Sequence, residues 1–302
     1  MSLLVIALAM GWGVLATAQD SPETIREQQR ALAAERAGAG AATPRALTSA
    51  PLQGAGGLLF VGVDDVTVPT YVIDPATNDT QPAFTGFEIW GAAVIPGPNP
   101  GDAVVYFNSG TALHRYQSPG PATLCCTLMF NGETQSVVSV AYDSTAGELL
   151  FTKNIATEAV YSLPVTAGAC PASCDLAQDI VYASGDNDLG GLAFDAATAN
   201  LYGTNDDASP GPAGIYEING DGSTTLVAAY PAGQTDIDGL AFDNGKLYLV
   251  TDEPGSIYVY NLGTGSYETP LTNPWTTSEI FSGAGAGTGL LIPVELQGFT
   301  VE

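Results

Sequence analysis

Positive charge is nearly missing from this chain. Seven Lys and Arg stand against 32 Asp and Glu, for a net charge of −25. Four of the seven (Arg26, Arg30, Arg36 and Arg45) lie in the first fifty residues, beside four acids. From residue 51 on, only Arg115, Lys153 and Lys246 face 28 acidic side chains. Such a surface repels phosphate backbones and anionic headgroups, which excludes ordinary nucleic-acid binding, and it attracts divalent cations and basic partners. Histidine is almost absent too. The single His114 matches neither cysteine group as a zinc ligand. His114 with Ser109 or Ser118 is the one hint of a nucleophilic pair. No Gly-x-Ser-x-Gly elbow accompanies it, and a surface position on an outer strand is expected.

Long apolar runs are missing beyond Leu3–Leu15, and that run is too short for a confident membrane span. Followed by Ala16-Thr17-Ala18, it reads as a secretory signal over 1–18, so no stable membrane insertion is expected. No cysteine follows the run, which argues against a lipoprotein anchor. Residues 19–50 read as a short helix starting near Asp20-Ser21-Pro22-Glu23, then an Ala/Gly linker. Export permits disulfides, and the four cysteines fall into two groups, Cys125-Cys126 and Cys170-x-x-x-Cys174. Pairing of Cys170 with Cys174 is the expected staple. The adjacent pair either forms a vicinal bond or reaches elsewhere.

What the chain does have is a repeat. An apolar pair ends in an aromatic at Phe60, Tyr106, Phe151, Tyr202 and Tyr248, at intervals of 46, 45, 51 and 46 residues. Gly-Leu-Ala-Phe-Asp at 191–195 returns at 239–243, with a looser copy at 138–143. A second alternating run follows each aromatic, as in Gly214–Asn219 and Ser256–Asn261. Four short strands per ~46 residues describe a β-propeller blade. The expected fold is therefore all-β, a propeller over 51–302 with five blades, six being the alternative. The first blade shows three strands. Glu279-Ile280-Phe281-Ser282-Gly283-Ala284 echoes Glu88-Ile89-Trp90-Gly91-Ala92-Ala93. A C-terminal strand is thus expected to complete the first blade, closing the ring with strands from both termini.

The text Tyr202-Gly203-Thr204-Asn205 with Gly214–Gly222, and its companion Tyr248–Asp252 with Ile257–Asn261, resembles the YWTD and NHL group of propellers. More loosely it resembles SMP-30-type lactonases. The tail Ile292–Leu296 is similar to a segment near the end of many exported bacterial surface proteins, which implies a bacterial source and a secreted, periplasmic or cell-surface place.

Adjacent blade strands run antiparallel, so second-strand ends and innermost-strand starts share one mouth of the channel. The former supply Asp64, Asp65, Asn108, Asn154, Asn205, Asp206, Asp207, Asp252 and Glu253, the latter Glu88, Asp186, Asp188, Asp236, Asp238 and Glu279. Carboxylates crowded there must protonate, stay hydrated or bind a cation, and oxygen donors suit Ca²⁺ or Mg²⁺. Resemblance to the lactonases implies a Glu/Asn/Asn/Asp metal set that polarises a substrate carbonyl, imitated here by Asn154, Asn205 and Asp252 with Glu88 or Glu279. The expected metal group is Asn154, Asn205, Asp206, Asp252 and Glu88. The expected function is an exported acidic binding or structural module that takes a protein or small-molecule ligand at the mouth. A metal-dependent lactonase is the alternative.

Overall fold

The computed structural model describes residues 57–99, 101–118, 120–153, 159–166, 168–181, 189–206 and 211–290. The expected signal and the helix-and-linker segment lie outside them. Strands β1 (Leu58–Val63), β2 (Tyr71–Asp74) and β3 (Asp79–Pro82) open the chain. A second sheet holds β4 (Gly91–Pro96), β5 (Ala103–Ser109), β6 (Ala112–Tyr116) and β7 (Thr123–Thr127). A small hairpin, β8 (Met129–Phe130) and β9 (Glu133–Thr134), leads to β10 (Ser139–Asp143), β11 (Glu148–Lys153), β12 (Ala159–Pro164) and β13 (Ala177–Val181). The fourth sheet is β14 (Leu189–Asp195), β15 (Asn200–Asn205), β16 (Gly214–Ile218) and β17 (Thr224–Ala229). The fifth is β18 (Gly239–Asp243), β19 (Lys246–Val250), β20 (Ser256–Asn261), β21 (Ser266–Tyr267) and β22 (Leu271–Thr272). Last comes β23 (Ser282–Gly287), which pairs with β1 and completes the first sheet in the order β23-β1-β2-β3. Five blades form, and strands from the two ends of the fold close the ring.

The innermost strands contact one another in the cycle β23, β4, β10, β14, β18 and back to β23. Small residues allow this approach. A Cβ on Gly91 would stand 2.6 Å from the Val140 nitrogen, and one on Gly191 2.5 Å from the Asp238 carbonyl oxygen. The axis keeps a cavity of only ≈ 50 Å³, walled by residues such as Ala93, Ala141, Ala193, Ala241 and Ala284. A ligand larger than a water or two therefore meets the propeller at a mouth, not inside the channel.

The aromatic repeat fills the spaces between blades, with one exception. Phe60, Tyr106, Tyr202 and Tyr248 lie opposite Gly285, Ala93, Ala193 and Ala241 on the innermost strands, and each packs toward the following blade. In the third blade, Leu150 holds that position, opposite Ala141, and packs toward the fourth. Phe151 is one residue further on, so it faces back into the core between the second and third blades.

The disulfides differ from the expected staple. Cys170 does not pair with Cys174; the bonds are Cys125–Cys170 and Cys126–Cys174. The cause is tertiary. The ladder between β6 and β7 shifts register between Leu113 and His114, which leaves Cys125 as an extra residue. A bulge of this kind re-aims side chains that strict alternation would send to opposite faces. The segment before β13 docks there: Met129 N donates to the Cys174 carbonyl at 2.9 Å, and Leu176 N to that of Met129 at 2.7 Å. Tyr106 adds a bond from its hydroxyl to the Ala169 carbonyl. Both bonds thus tie the second blade to the third.

Candidate cation site at the channel mouth

Ladder register places the chemistry. Gly91 pairs with Asn108, Ser139 with Thr152, Leu189 with Asn205 and Gly239 with Val250, so each second strand ends beside the start of its innermost strand. The residues just past these points gather on one face.

Between the fourth and fifth blades, Asp206 follows β15 while Asp236 and Asp238 precede β18. One carboxylate oxygen from each lies within 4.8 Å of the others. Asp206 is fixed by two donors on the same oxygen: the Tyr230 hydroxyl at 2.8 Å and the Ile237 amide at 3.1 Å reach Oδ1. Burial and the Asp206 charge push the Tyr230 phenol far up, so it stays protonated and remains a donor. Gly190 forms the floor, where a Cβ would come within 2.8 Å of Asp238 Oδ1 and 3.6 Å of Asp206 Oδ2.

Asp252, just past β19, adds a fourth carboxylate. It is 5% exposed, and its Oδ1 meets no hydrogen-bond donor among the described residues. Burial raises its pKa well above the usual carboxylate range, and the charges of Asp236, Glu253 and Asp64 raise it further. Asp64 belongs to the same arc and accepts the Ile280 amide at 2.9 Å. Among the described side chains, Lys246 pairs with Glu268 at 2.7 Å, and Arg115 donates to Gln117 at 3.0 Å.

Of the metal group expected from sequence, Asp206 enters the three-carboxylate cluster, and Asp252 comes under the field of Asp236. Asn205 is fully buried at the end of β15, next to Asp206. Glu88 sits half-buried on the segment entering the second blade, also outside the cluster. Asn154 lies outside the described residues. Asp236 and Asp238 were legible as mouth residues, since they stand at the start of an innermost strand. Tyr230 carried no signal in the sequence, because its role comes from reaching across to the preceding strand end.

His114 corrects the surface expectation. It is 8% exposed, stacks on Phe107 with centroids 5.1 Å apart, and shares a 3.1 Å bond through Nε2 with Ser109 Oγ. Burial lowers its pKa, which favours the neutral ring. Trp90 stacks on Phe281 at 4.4 Å, and Trp275 donates from Nε1 to the Thr251 carbonyl at 2.9 Å. Both bind blades together.

No family model and no curated protein matches the sequence. Among solved structures, the chain is similar to a component of a nidogen/laminin complex at 13% identity. The match covers 78% of this chain and 99% of the other, with a TM-score of 0.50. It is also similar to a gluconolactonase from Xanthomonas campestris at 18% identity, over 76% and 80% of the two chains, with a TM-score of 0.45. The likeness is one of fold. The first of the two agrees with the propeller described above.

Proposed function

We propose that the protein is an exported binding module whose acidic mouth holds a divalent cation, Ca²⁺ or Mg²⁺, between the fourth and fifth blades. The observation that carries this is the gathering of Asp206, Asp236 and Asp238 within 4.8 Å beside a buried carboxylate with an unanswered oxygen. Two like charges 4 Å apart cost about 4 kcal/mol at an effective dielectric near 20. A cation removes that cost, and Asp, unlike Lys or His, offers the hard oxygens that these ions prefer. Gly190 supports the same reading, because a larger residue there would fill the space against Asp238 and Asp206. Export is supported by the two disulfides, which persist in oxidising compartments. Among the described residues, no helix is long and apolar enough to cross a membrane. The partner docks at the mouth with its oxygens completing the ion's coordination.

The test is thermal. Saturation at 100 times the dissociation constant stabilises by about 2.7 kcal/mol, or roughly 5–10 °C in a domain of this size. EDTA is expected to lower Tm by that amount, with recovery on adding Ca²⁺ or Mg²⁺ and no response in Asp236→Asn/Asp238→Asn. Equal Tm with and without chelator overturns the proposal. Metal-dependent turnover of a lactone by the wild type, lost in Asp206→Asn, would move the protein to the hydrolases.

A further inference from the structure

The channel has a second mouth, where the innermost strands end, and its chemistry is unlike that of the first. The axial cavity of ≈ 50 Å³ takes three successive residues from each innermost strand and none of those that open the strands. It therefore runs away from the acidic cluster. The last residue of each three is Val94, Tyr142, Phe194, Phe242 or Ala286, in that order round the ring. These five alone among the lining residues are partly exposed, so they form the rim through which the cavity opens. Three aromatics on adjacent blades stand together there, and two small side chains complete the circle.

Aromatics of the long repeat are sealed: Phe60, Tyr106, Tyr202 and Tyr248 are at most 5% exposed. Tyr142, Phe194 and Phe242 instead pack against the clusters between blades and also line the opening. Each is followed by an aspartate, Asp143, Asp195 or Asp243. Amides of Thr145, Ala197 and Gly57 hold these carboxylates in place without removing their charge. Lys246, across the ladder from Asp243, is ion-paired with Glu268. We propose that this far mouth binds a small methylated ammonium ion, seated against Tyr142, Phe194 and Phe242. Aromatic faces are electronegative and attract a cation, most of all one that carries little water. Metal ions keep their water and prefer the oxygen-rich mouth at the other end. A methyl group is close in size to the water or two that the cavity admits, so one methyl can enter while the others rest on the rings. This site stands apart from the cation reading of the acidic mouth and does not depend on it.

Proton NMR titration of the full chain with choline chloride at fixed ionic strength tests this through the line width of the methyl signal. Choline is expected to bind. Its uncharged analogue, with tert-butyl in place of trimethylammonium, should bind about tenfold more weakly. Phe194→Leu/Phe242→Leu should lose about tenfold in choline affinity, the scale of two ring–cation contacts. Equal affinity for the analogue would make the mouth a merely apolar seat and overturn the proposal. Absence of choline binding overturns it too. So does displacement of choline by millimolar Ca²⁺, which would place the ammonium at the acidic mouth. Should the double variant fail to fold, Ala286→Leu crowds the rim from the first blade while keeping every ring. A drop in choline affinity there supports the site, and an unchanged affinity contradicts it.

Discussion

Asp252 concentrates the conflict at the mouth into one side chain. Its folded pKa lies above the unfolded carboxylate value, so the stability it contributes is full below about pH 4 and is lost as pH rises through the raised value. In cation-free protein at neutral pH, the ionised form is therefore a burden on the fold. Asp252→Asn removes the charge, and its Tm in EDTA at pH 7.5 should exceed that of the wild type by about 3 °C, the equivalent of roughly 1 kcal/mol. The gap should close as pH falls toward 4. A variant no more stable than wild type in EDTA would mean that the carboxylate is not under the strain described. Sequence identified Asp252 as a mouth residue from its place after the second strand. Its exposure to the field of Asp236 follows from the pairing of β18 with β19 in the same blade, and the first blade meets it there, with Glu279 N bonding to the Asp252 carbonyl at 3.2 Å.

At the scale of elements, hairpins and innermost strands were the most legible parts. Asp74, Asp143 and Asp195 each bond an amide two residues on, at 2.7–2.9 Å. Four residues after each comes a positive φ, at Asn78, Gly147 and Ala199, so a local side-chain bond sets the turn. Cross-strand matters were less legible. Phe151 was read in phase with the other aromatics, and one residue of slip sends it to the opposite face. Pairing of the cysteines depended on a bulge in β7 and on a loop from the next blade. That arrangement has an energetic consequence. Sequence separations of 45 and 48 residues make either bond alone worth about 4 kcal/mol by loop closure. With one bond in place, the other closes only a small ring and adds about 2 kcal/mol. Urea unfolding of Cys125→Ser/Cys170→Ser should thus show a loss near 2 kcal/mol, and removal of all four cysteines a loss near 6. A loss near 4 kcal/mol on deleting one bond would show that the two do not share the long closure.

For the whole molecule, closure by β23 is the feature on which the site depends. It pairs with β1 over six residues and packs against both β4 and β18. Truncation after Tyr267 removes β23 and leaves the apolar β1, Leu-Leu-Phe-Val-Gly-Val, as an open edge. The truncated chain should lose its single cooperative melt and associate in light scattering. Retention of a monomeric, cooperative fold would show that the ring does not need its clasp. Orientation follows from the same topology. Gly57 N reaches Asp243 at 3.3 Å, and Gly289 lies against Gly101 and Asp102. Both contacts are at hairpins on the face away from the mouth. Gly57, the first described residue, thus lies on the side opposite the acidic mouth.

Repetition of short alternating runs was enough, in sequence alone, to determine a radial array of four-stranded sheets, because strand period and turn chemistry are local properties. The acidity of one mouth was determined too, since antiparallel neighbours must end and begin together. Tertiary structure alone decided which carboxylates crowd together, that Tyr230 reaches Asp206, and which cysteines meet. Those outcomes depend on the angle and register between blades, set by packing among residues some thirty to fifty positions apart, and no local pattern encodes them.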